Sequence, residues 1–124
     1  MCRALVATGG ALGFLGVALG AFGAHALKER ISADHLATYQ VGVHYHLIHV
    51  LGILFVAIVA DKLNTRMVGW LWVAGIVLFS GSLYALALTG IRILGAITPL
   101  GGVCFLVGWA LLVVRAARAS DAAV

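Results

Sequence analysis

Three histidines, His44, His46 and His49, lie in the stretch TYQVGVHYHLIHV at residues 38–50, which leads directly into an apolar segment. Neutral imidazole can bind a transition metal, exchange a proton or form hydrogen bonds between packed helices. Side chains at intervals of three and four residues share one helical face, so Tyr39, His46 and His49 lie together and His44 points elsewhere. Each of these chemistries requires partners from other parts of the chain.

A metal site is the first chemistry to consider. His46 and His49 are three residues apart, a spacing at which two imidazoles can bind one metal, with His25 or Cys104 as a third ligand. A haem would instead take His25 opposite His46 or His49 as axial ligands. Because no carboxylate lies in the surrounding apolar zone, we predict no cofactor. A haem- or transition-metal-binding redox protein built on His25, His46 and His49 is kept as the alternative.

A pocket for a small amphiphile, such as a lipid headgroup or a quinone, is the second chemistry. Antiparallel helices would bring hydrogen-bonding side chains from the other apolar runs to the depth of the histidines. The residues predicted to bind such a ligand are His25, Tyr39, His46, His49, Ser80, Tyr84, Arg92 and Thr98. A third interpretation assigns the same side chains only to hydrogen bonds that hold helices together.

Catalysis has weaker support in the sequence. Ser80 could pair with His49 as a nucleophile and its base, but an orienting carboxylate is missing. Glu29 and Asp34 lie in a linker, and Asp61 is expected at the opposite membrane face. The sequence therefore favours a protein that is not an enzyme.

The composition identifies the solvent of this chain. It has 124 residues, of which 64% are hydrophobic and 10% charged, whereas soluble domains are near half apolar and about a quarter charged. The net charge of +4 comes from singly scattered basic residues that flank apolar runs. This pattern is typical of membrane helices and lacks the basic stripe of a nucleic-acid-binding protein. Membrane lipids are therefore the expected partners.

Four apolar runs are each near the roughly 20 residues that cross a hydrocarbon core as a helix. Short linkers make sequential helices antiparallel neighbours. The predicted fold is all-α, a single transmembrane domain built as an up-down-up-down antiparallel four-helix bundle. The predicted helices cover about residues 4–27, 32–60, 67–88 and 93–114, with an exposed tail at 115–124.

The first helix carries a seam of small residues. Five glycines spaced four and three residues apart, Gly9, Gly13, Gly16, Gly20 and Gly23, share one face. Such seams let membrane helices approach closely, either within one chain or in a homo-oligomer or larger membrane complex. The run also resembles a signal peptide ending at Ala24-His25-Ala26. The seam favours a helix that is retained.

Local signals refine the helix ends. Ser32 is expected to cap the second helix, with Asp34 in its first turn. Thr98-Pro99 is a typical helix start, so the preceding residues 93–97 are expected to form a broken entry to the fourth helix. The bias of basic residues predicts cytoplasmic termini. All three tryptophans are then expected near the cytoplasmic interface.

Four motifs together resemble the small membrane proteins of the domain of unknown function 423 family, which is related to the eukaryotic transmembrane protein 256 family. The motifs are GAFGAHALK at 20–28, YQVGVHYHLIHVLGIL at 39–54, LFSGSLYALALTG at 78–90 and ITPLGGVCFLVGW at 97–109. The resemblance implies a four-helix membrane protein, located in bacteria in the plasma membrane. It implies no reaction, substrate or cofactor. The motif positions are His25, Tyr39, Gln40, Tyr45, His46, His49, Ser80, Gly81, Tyr84, Pro99, Gly101 and Gly102.

Overall fold

The computed structural model describes residues 1–121, which form helices and short connections without any strand. Four helices are long and apolar enough to cross a membrane, and we call them the first to fourth spans. Their bounds are Arg3–Leu27, Ala33–Ile58, Arg66–Thr89 and Arg92–Ser120. The predicted all-α membrane fold of four helices is confirmed.

The fourth helix is longer than its hydropathy indicates. It continues as α-helix to Asp121, so residues 115–121 of the predicted tail are helical, and residues 122–124 lie outside the described part of the chain. The sequence RAARA at 115–119 explains the extension, because alanine and arginine are strong helix formers in water as well as in lipid. The earlier boundary followed the loss of hydropathy and not the loss of helical preference.

The second and third spans form the interior of the bundle. Within the most apolar window of each span, 39% and 33% of their residues are buried, against 17% in the first and fourth spans. The first span packs on the second, the second on the third, and the third on the fourth. The backbone amide of Cys2 donates to the carbonyl of Ala57 at 2.8 Å, which places the start of the first span beside the end of the second. Sequential spans are therefore antiparallel neighbours.

The glycine seam of the first span is used inside the chain. A Cβ added at Gly9, Gly13 or Gly20 would meet side chains of the second span at 2.9–3.3 Å. At Gly16 it would lie 2.7 Å from Leu47 and 3.2 Å from Nε2 of His46. The seam thus lets the first two spans approach closely, as small residues do in membranes.

A second close approach joins the third and fourth spans. A Cβ at Gly101 would lie 2.6 Å from Cβ and 2.7 Å from Cα of Phe79, so only glycine fits against that backbone. The buried indole of Trp72 donates from Nε1 to the carbonyl of Phe105 at 3.2 Å. Trp72 is therefore an interior residue that connects two spans, and its expected depth near the cytoplasmic interface stays a prediction.

Helix ends follow the predicted signals in part. Ser32 caps the second span by accepting a hydrogen bond from the backbone amide of His35 at 3.1 Å, which confirms the predicted cap. The fourth span enters through a separate 3-10 turn, Arg92–Ala96, before its α-helix begins at Thr98. This turn is the predicted broken entry.

Two features of the structure were not predicted: π-helical turns within two spans, and ion pairs at Asp61. The first and third spans each contain a five-residue π-helical turn, at Gly23–Leu27 and Ile76–Ser80. Outside the spans, exposed Asp61 accepts from the Met1 α-amino group and from Arg66. The Met1 amine, followed by Arg66, holds the pKa of the Asp61 carboxyl below its usual value.

Candidate functional site

His46 joins three spans at the centre of the bundle. Its ring is 1% exposed. Nδ1 lies 2.8 Å from the hydroxyl of Tyr84 in the third span, and Nε2 lies 2.8 Å from the carbonyl of Leu12 in the first span. Gly16 provides the space for this ring, because a Cβ there would meet Nε2 and Cδ2. Both ring nitrogens of His46 therefore have protein partners.

His49 faces the fourth span instead. Its ring stacks on Phe105 with centroids 3.6 Å apart and planes 7° apart. Nδ1 lies 2.8 Å from the carbonyl of Tyr45 on its own helix. Trp109 donates from Nε1 to Nε2 of His49 at 3.1 Å. The indoles of Trp72 and Trp109, 4.5 Å apart, both pack edgewise against the imidazole.

The hydrogen-bond partners assign a tautomer to each histidine. The indole of Trp109 can only donate, so Nε2 of His49 accepts and the proton of its ring lies on Nδ1. The carbonyl of Leu12 can only accept, so His46 carries its proton on Nε2 and its Nδ1 accepts from Tyr84. The two neutral imidazoles thus have opposite tautomers, although they lie one turn apart on one helix.

Tyr39 and Ser80, two more of the predicted residues, form interhelical contacts. The buried hydroxyl of Tyr39 donates to the carbonyl of Leu19, which connects the second span to the first. The buried hydroxyl of Ser80 donates to the carbonyl of Gly42 at 2.7 Å, which connects the third span to the second. The hydroxyl of Ser80 is therefore committed to the backbone and is not paired with His49 as a nucleophile would be.

Thr98 connects the third and fourth spans. Its hydroxyl lies 2.6 Å from Oγ of Ser82, and the hydroxyl of Ser82 also lies 2.9 Å from the carbonyl of Phe79. Since that carbonyl can only accept, Ser82 donates to Phe79 and accepts from Thr98. The contact holds the start of the fourth α-helix against the third span.

The two remaining predicted residues lie apart. His25 and Arg92 are exposed at span ends, and within residues 1–121 their side chains have no hydrogen-bond partner. In the same part of the chain, no three His, Cys, Asp or Glu side chains come together in a way that could hold a metal ion. The structure therefore does not bring His25 to His46 and His49.

The predicted residues also face different clefts. His46 and Tyr84 line a cleft of about 240 Å³ between the first and third spans. His49 lines a cleft of about 270 Å³ beside the fourth span, and Tyr39 lines one of about 300 Å³ beside Gly20 and Gly23. The structure thus distributes the predicted set among separate contacts and separate openings.

Sequence reasoning missed the aromatic residues that surround His49. Phe79 and Phe105 were treated as ordinary apolar positions and Trp109 as an interfacial residue, whereas all three form walls of its cleft. One signal in the sequence could have indicated this role. An indole N–H within an apolar run needs an acceptor, and His49 is a nearby side chain that can supply one.

Comparisons with known proteins identify the family of this chain. The family model described as "Protein of unknown function (DUF423)" matches residues 19–102. The UPF0382 membrane protein YwdK of Bacillus subtilis is 54% identical over 84% of this chain and 88% of its own. This chain belongs to the DUF423 family. All eight predicted ligand-binding residues lie within the matched segment.

Other relatives carry the same description. The UPF0382 membrane protein SSP2132 of Staphylococcus saprophyticus is 51% identical over 81% of this chain and 85% of its own. The UPF0382 inner membrane protein YgdD of Escherichia coli is 46% identical over 86% of this chain and 83% of its own. No solved structure matches the chain. The DUF423 chain is thus an integral membrane protein with four spans, similar to proteins whose biochemical function is not stated in their names.

Proposed function

We propose that this DUF423 chain is a structural or accessory protein of the bacterial plasma membrane and not an enzyme. The observation that carries the proposal is the complete pairing of its buried imidazoles. All four ring nitrogens of His46 and His49 lie within 3.1 Å of a protein donor or acceptor. These side chains, which could have performed chemistry, are used to fix the arrangement of the spans.

The same pairing argues against the redox alternative. A metal or haem iron at His46 would have to displace Tyr84 or the carbonyl of Leu12, and at His49 it would have to displace Trp109 or the carbonyl of Tyr45. Displacing Tyr84 or Trp109 would leave a hydroxyl or an indole N–H without its acceptor in an apolar region, at a cost of about 1–3 kcal/mol. His25, the proposed third ligand, is exposed at the far end of the first span.

The partners of an accessory protein would contact its outer spans. Phe14 on the first span and Leu106 on the fourth are 80% and 71% exposed, so these faces present apolar surface to lipid. In our proposal membrane lipids cover them, and a second copy or another membrane protein replaces lipid locally. A photo-crosslinking amino acid at Phe14 or Leu106 would capture a protein partner. Adducts with lipid alone at both positions would argue for a protein without such a partner.

The proposed location is the plasma membrane, with both termini in the cytoplasm. The Escherichia coli relative is named an inner membrane protein, and more basic residues lie on the side of the termini than on the other side. A reporter that is active only in the cytoplasm should be active when it is fused after Asp121. A reporter that is active only outside the cytoplasm should be active when it is inserted in the 28–32 linker. The opposite pattern would reverse the orientation.

Absorbance and metal analysis of the purified protein test the central proposal. We expect the detergent-purified protein to have no Soret band and no stoichiometric metal. Alanine variants of His46 and His49 should unfold at lower temperature without any spectral change. A haem spectrum or one bound metal per chain, lost in the His46→Ala variant and kept in a His44→Ala control, would overturn the proposal.

A further inference from the structure

The cleft beside His49 has walls unlike those of the other clefts. Aromatic rings supply most of its lining: Tyr45 from the second span, Phe79 from the third, and Phe105 and Trp109 from the fourth. The ring of Tyr45 is parallel to those of His49 and Phe105 within 16°, at centroid distances of 6.3 and 6.5 Å. The groove between Gly9 and Leu54, by contrast, is lined by glycine, aliphatic side chains and a single phenylalanine.

One polar group of this aromatic cleft is left over. Nε1 of Trp109 and both nitrogens of His49 are paired within the protein. Tyr45 is the thirteenth of 26 residues in its span and is 42% exposed on the outer face of the bundle, and its hydroxyl has no hydrogen-bond partner among residues 1–121. A phenol O–H at such a depth loses free energy when no acceptor meets it. Tyr45, which lines the cleft, therefore offers one hydrogen-bond donor that an occupant with an acceptor can use.

Position and charge restrict the occupant further. The lining residues of the fourth span, Gly102 to Trp109, lie about 6 to 16 Å along the helix from Thr98 at 1.5 Å per residue. The cleft thus runs from near one interface toward the middle of the bilayer. None of the residues that line it is charged. Its volume of about 270 Å³ is just below the usual range for small-molecule sites, so it has room for a ring system and would leave an apolar tail among the lipids.

We infer that this cleft binds the ring of a neutral, lipid-soluble, conjugated carbonyl compound of the quinone class. The flat walls stack on the ring, and the hydroxyl of Tyr45 donates to a ring carbonyl. Gly102 provides the opening, because a Cβ there would meet only Phe79, at 3.9 Å. The inference concerns binding alone and assigns no electron transfer. It goes beyond the proposed structural role, which would stand if the cleft held only lipid.

Glycine-to-leucine variants test the cleft without disturbing the core. Gly102→Leu fills the aromatic cleft, and Gly10→Leu is the matched control, because Gly10 lines the aliphatic groove and a Cβ there meets nothing within 4 Å. The probe is a decyl-substituted benzoquinone, and its saturable binding to protein in nanodiscs is measured against empty nanodiscs. We expect one saturable site in the wild type and in Gly10→Leu. In Gly102→Leu the affinity should fall about tenfold or more, since the ring no longer fits.

The hydrogen bond is tested separately. Tyr45→Phe should weaken binding of the benzoquinone about three- to tenfold, as expected for one neutral hydrogen bond. The same variant should bind decylbenzene, which lacks carbonyls, as the wild type does. Decylbenzene should itself bind the wild type more weakly than the quinone. Equal binding of the two probes would identify the occupant as an ordinary acyl chain and overturn the inference.

Two further outcomes would also overturn it. These are a complete lack of saturable binding, and equal loss in the Gly102→Leu and Gly10→Leu variants. Melting curves of each variant must match the wild type before binding is interpreted. If Gly102→Leu does not fold, Leu106→Trp replaces it, because Leu106 lies at the exposed rim of the cleft and a larger side chain there enters the opening without entering the core.

Discussion

His46 and His49 are the same residue type, lie one turn apart on one helix and are both buried, yet their surroundings differ. His46 bonds to groups of the first and third spans, which lie on either side of it. His49 bonds to a carbonyl of its own helix and to Trp109 of the fourth span, and its ring forms part of a cleft wall. The first imidazole connects helices, whereas the second shapes a surface.

This difference shows what a polar residue in a membrane helix reveals about function. A buried histidine in a span is by default a hypothesis about function. His46 uses all of its hydrogen-bonding capacity between helices, so it has none left for a ligand. Tyr45, which lies beside His49, is half-exposed, and its hydroxyl has no hydrogen-bond partner among residues 1–121. We therefore infer ligand binding from the lining of the cleft beside His49 and not from the paired imidazole of His46.

The largest expected effect tests the close contact between Gly101 and Phe79, which holds the fourth span and its partners of His49 against the third span. Gly101→Ala places a Cβ against the backbone of Phe79, which cannot move without separating the third and fourth spans. We expect a loss of about 3 kcal/mol or more, or failure to fold, from overpacking. Gly102→Ala is the matched control and should change little. Denaturant titration in detergent measures both, and equal stabilities would contradict this account of the junction.

The next effect compares the two histidines directly. His46→Ala removes contacts to two other spans and leaves the hydroxyl of Tyr84 without its acceptor, so we expect a loss of about 2–4 kcal/mol. His49→Ala removes one interhelical bond and a stacked ring, and should cost about half as much. The free energies of unfolding in matched micelles provide the measurement. A larger loss of unfolding free energy in His49→Ala than in His46→Ala would contradict this comparison.

Double-mutant cycles should detect a smaller coupling in each pair. We expect His46 with Tyr84, and His49 with Trp109, each to couple by about 0.6 to 1.7 kcal/mol, as interhelical hydrogen bonds in membranes do. The cross pair of Tyr84→Phe with Trp109→Phe should be additive, because the two contacts share no partner. Strong coupling in the cross pair would show one continuous network instead of two separate contacts.

Periodicity and hydropathy predicted much of this fold. Ser32 was recognised as a cap from its residue type, and the glycine seam from its spacing, because both signals are local. In the structure, Gly9 and Gly16 of this seam meet the second span of the same chain. The extension to Asp121 was missed because hydropathy marks the end of a membrane core and not the end of a helix.

The candidate site was harder to predict, for a physical reason. Spacing shows that His46 and His49 face the interior, but it does not show which neighbouring helix each one meets. That choice depends on how the spans cross, which here is set by contacts such as Gly101 on Phe79 and Gly16 on His46. Depth alone suggested that His25 joins the other two histidines, whereas it is exposed at the end of the first span.

The protonation of the two imidazoles tests the central claim most directly. The chain has five histidines, so solid-state NMR of histidine-labelled protein in lipid bilayers can assign each ring through single His→Gln variants. We predict a one-bond proton–nitrogen coupling on Nε2 of His46 and on Nδ1 of His49, with the other nitrogen of each ring unprotonated. A proton on Nε2 of His49, or the same tautomer in both rings, would contradict the account, because Trp109 could not then donate to His49.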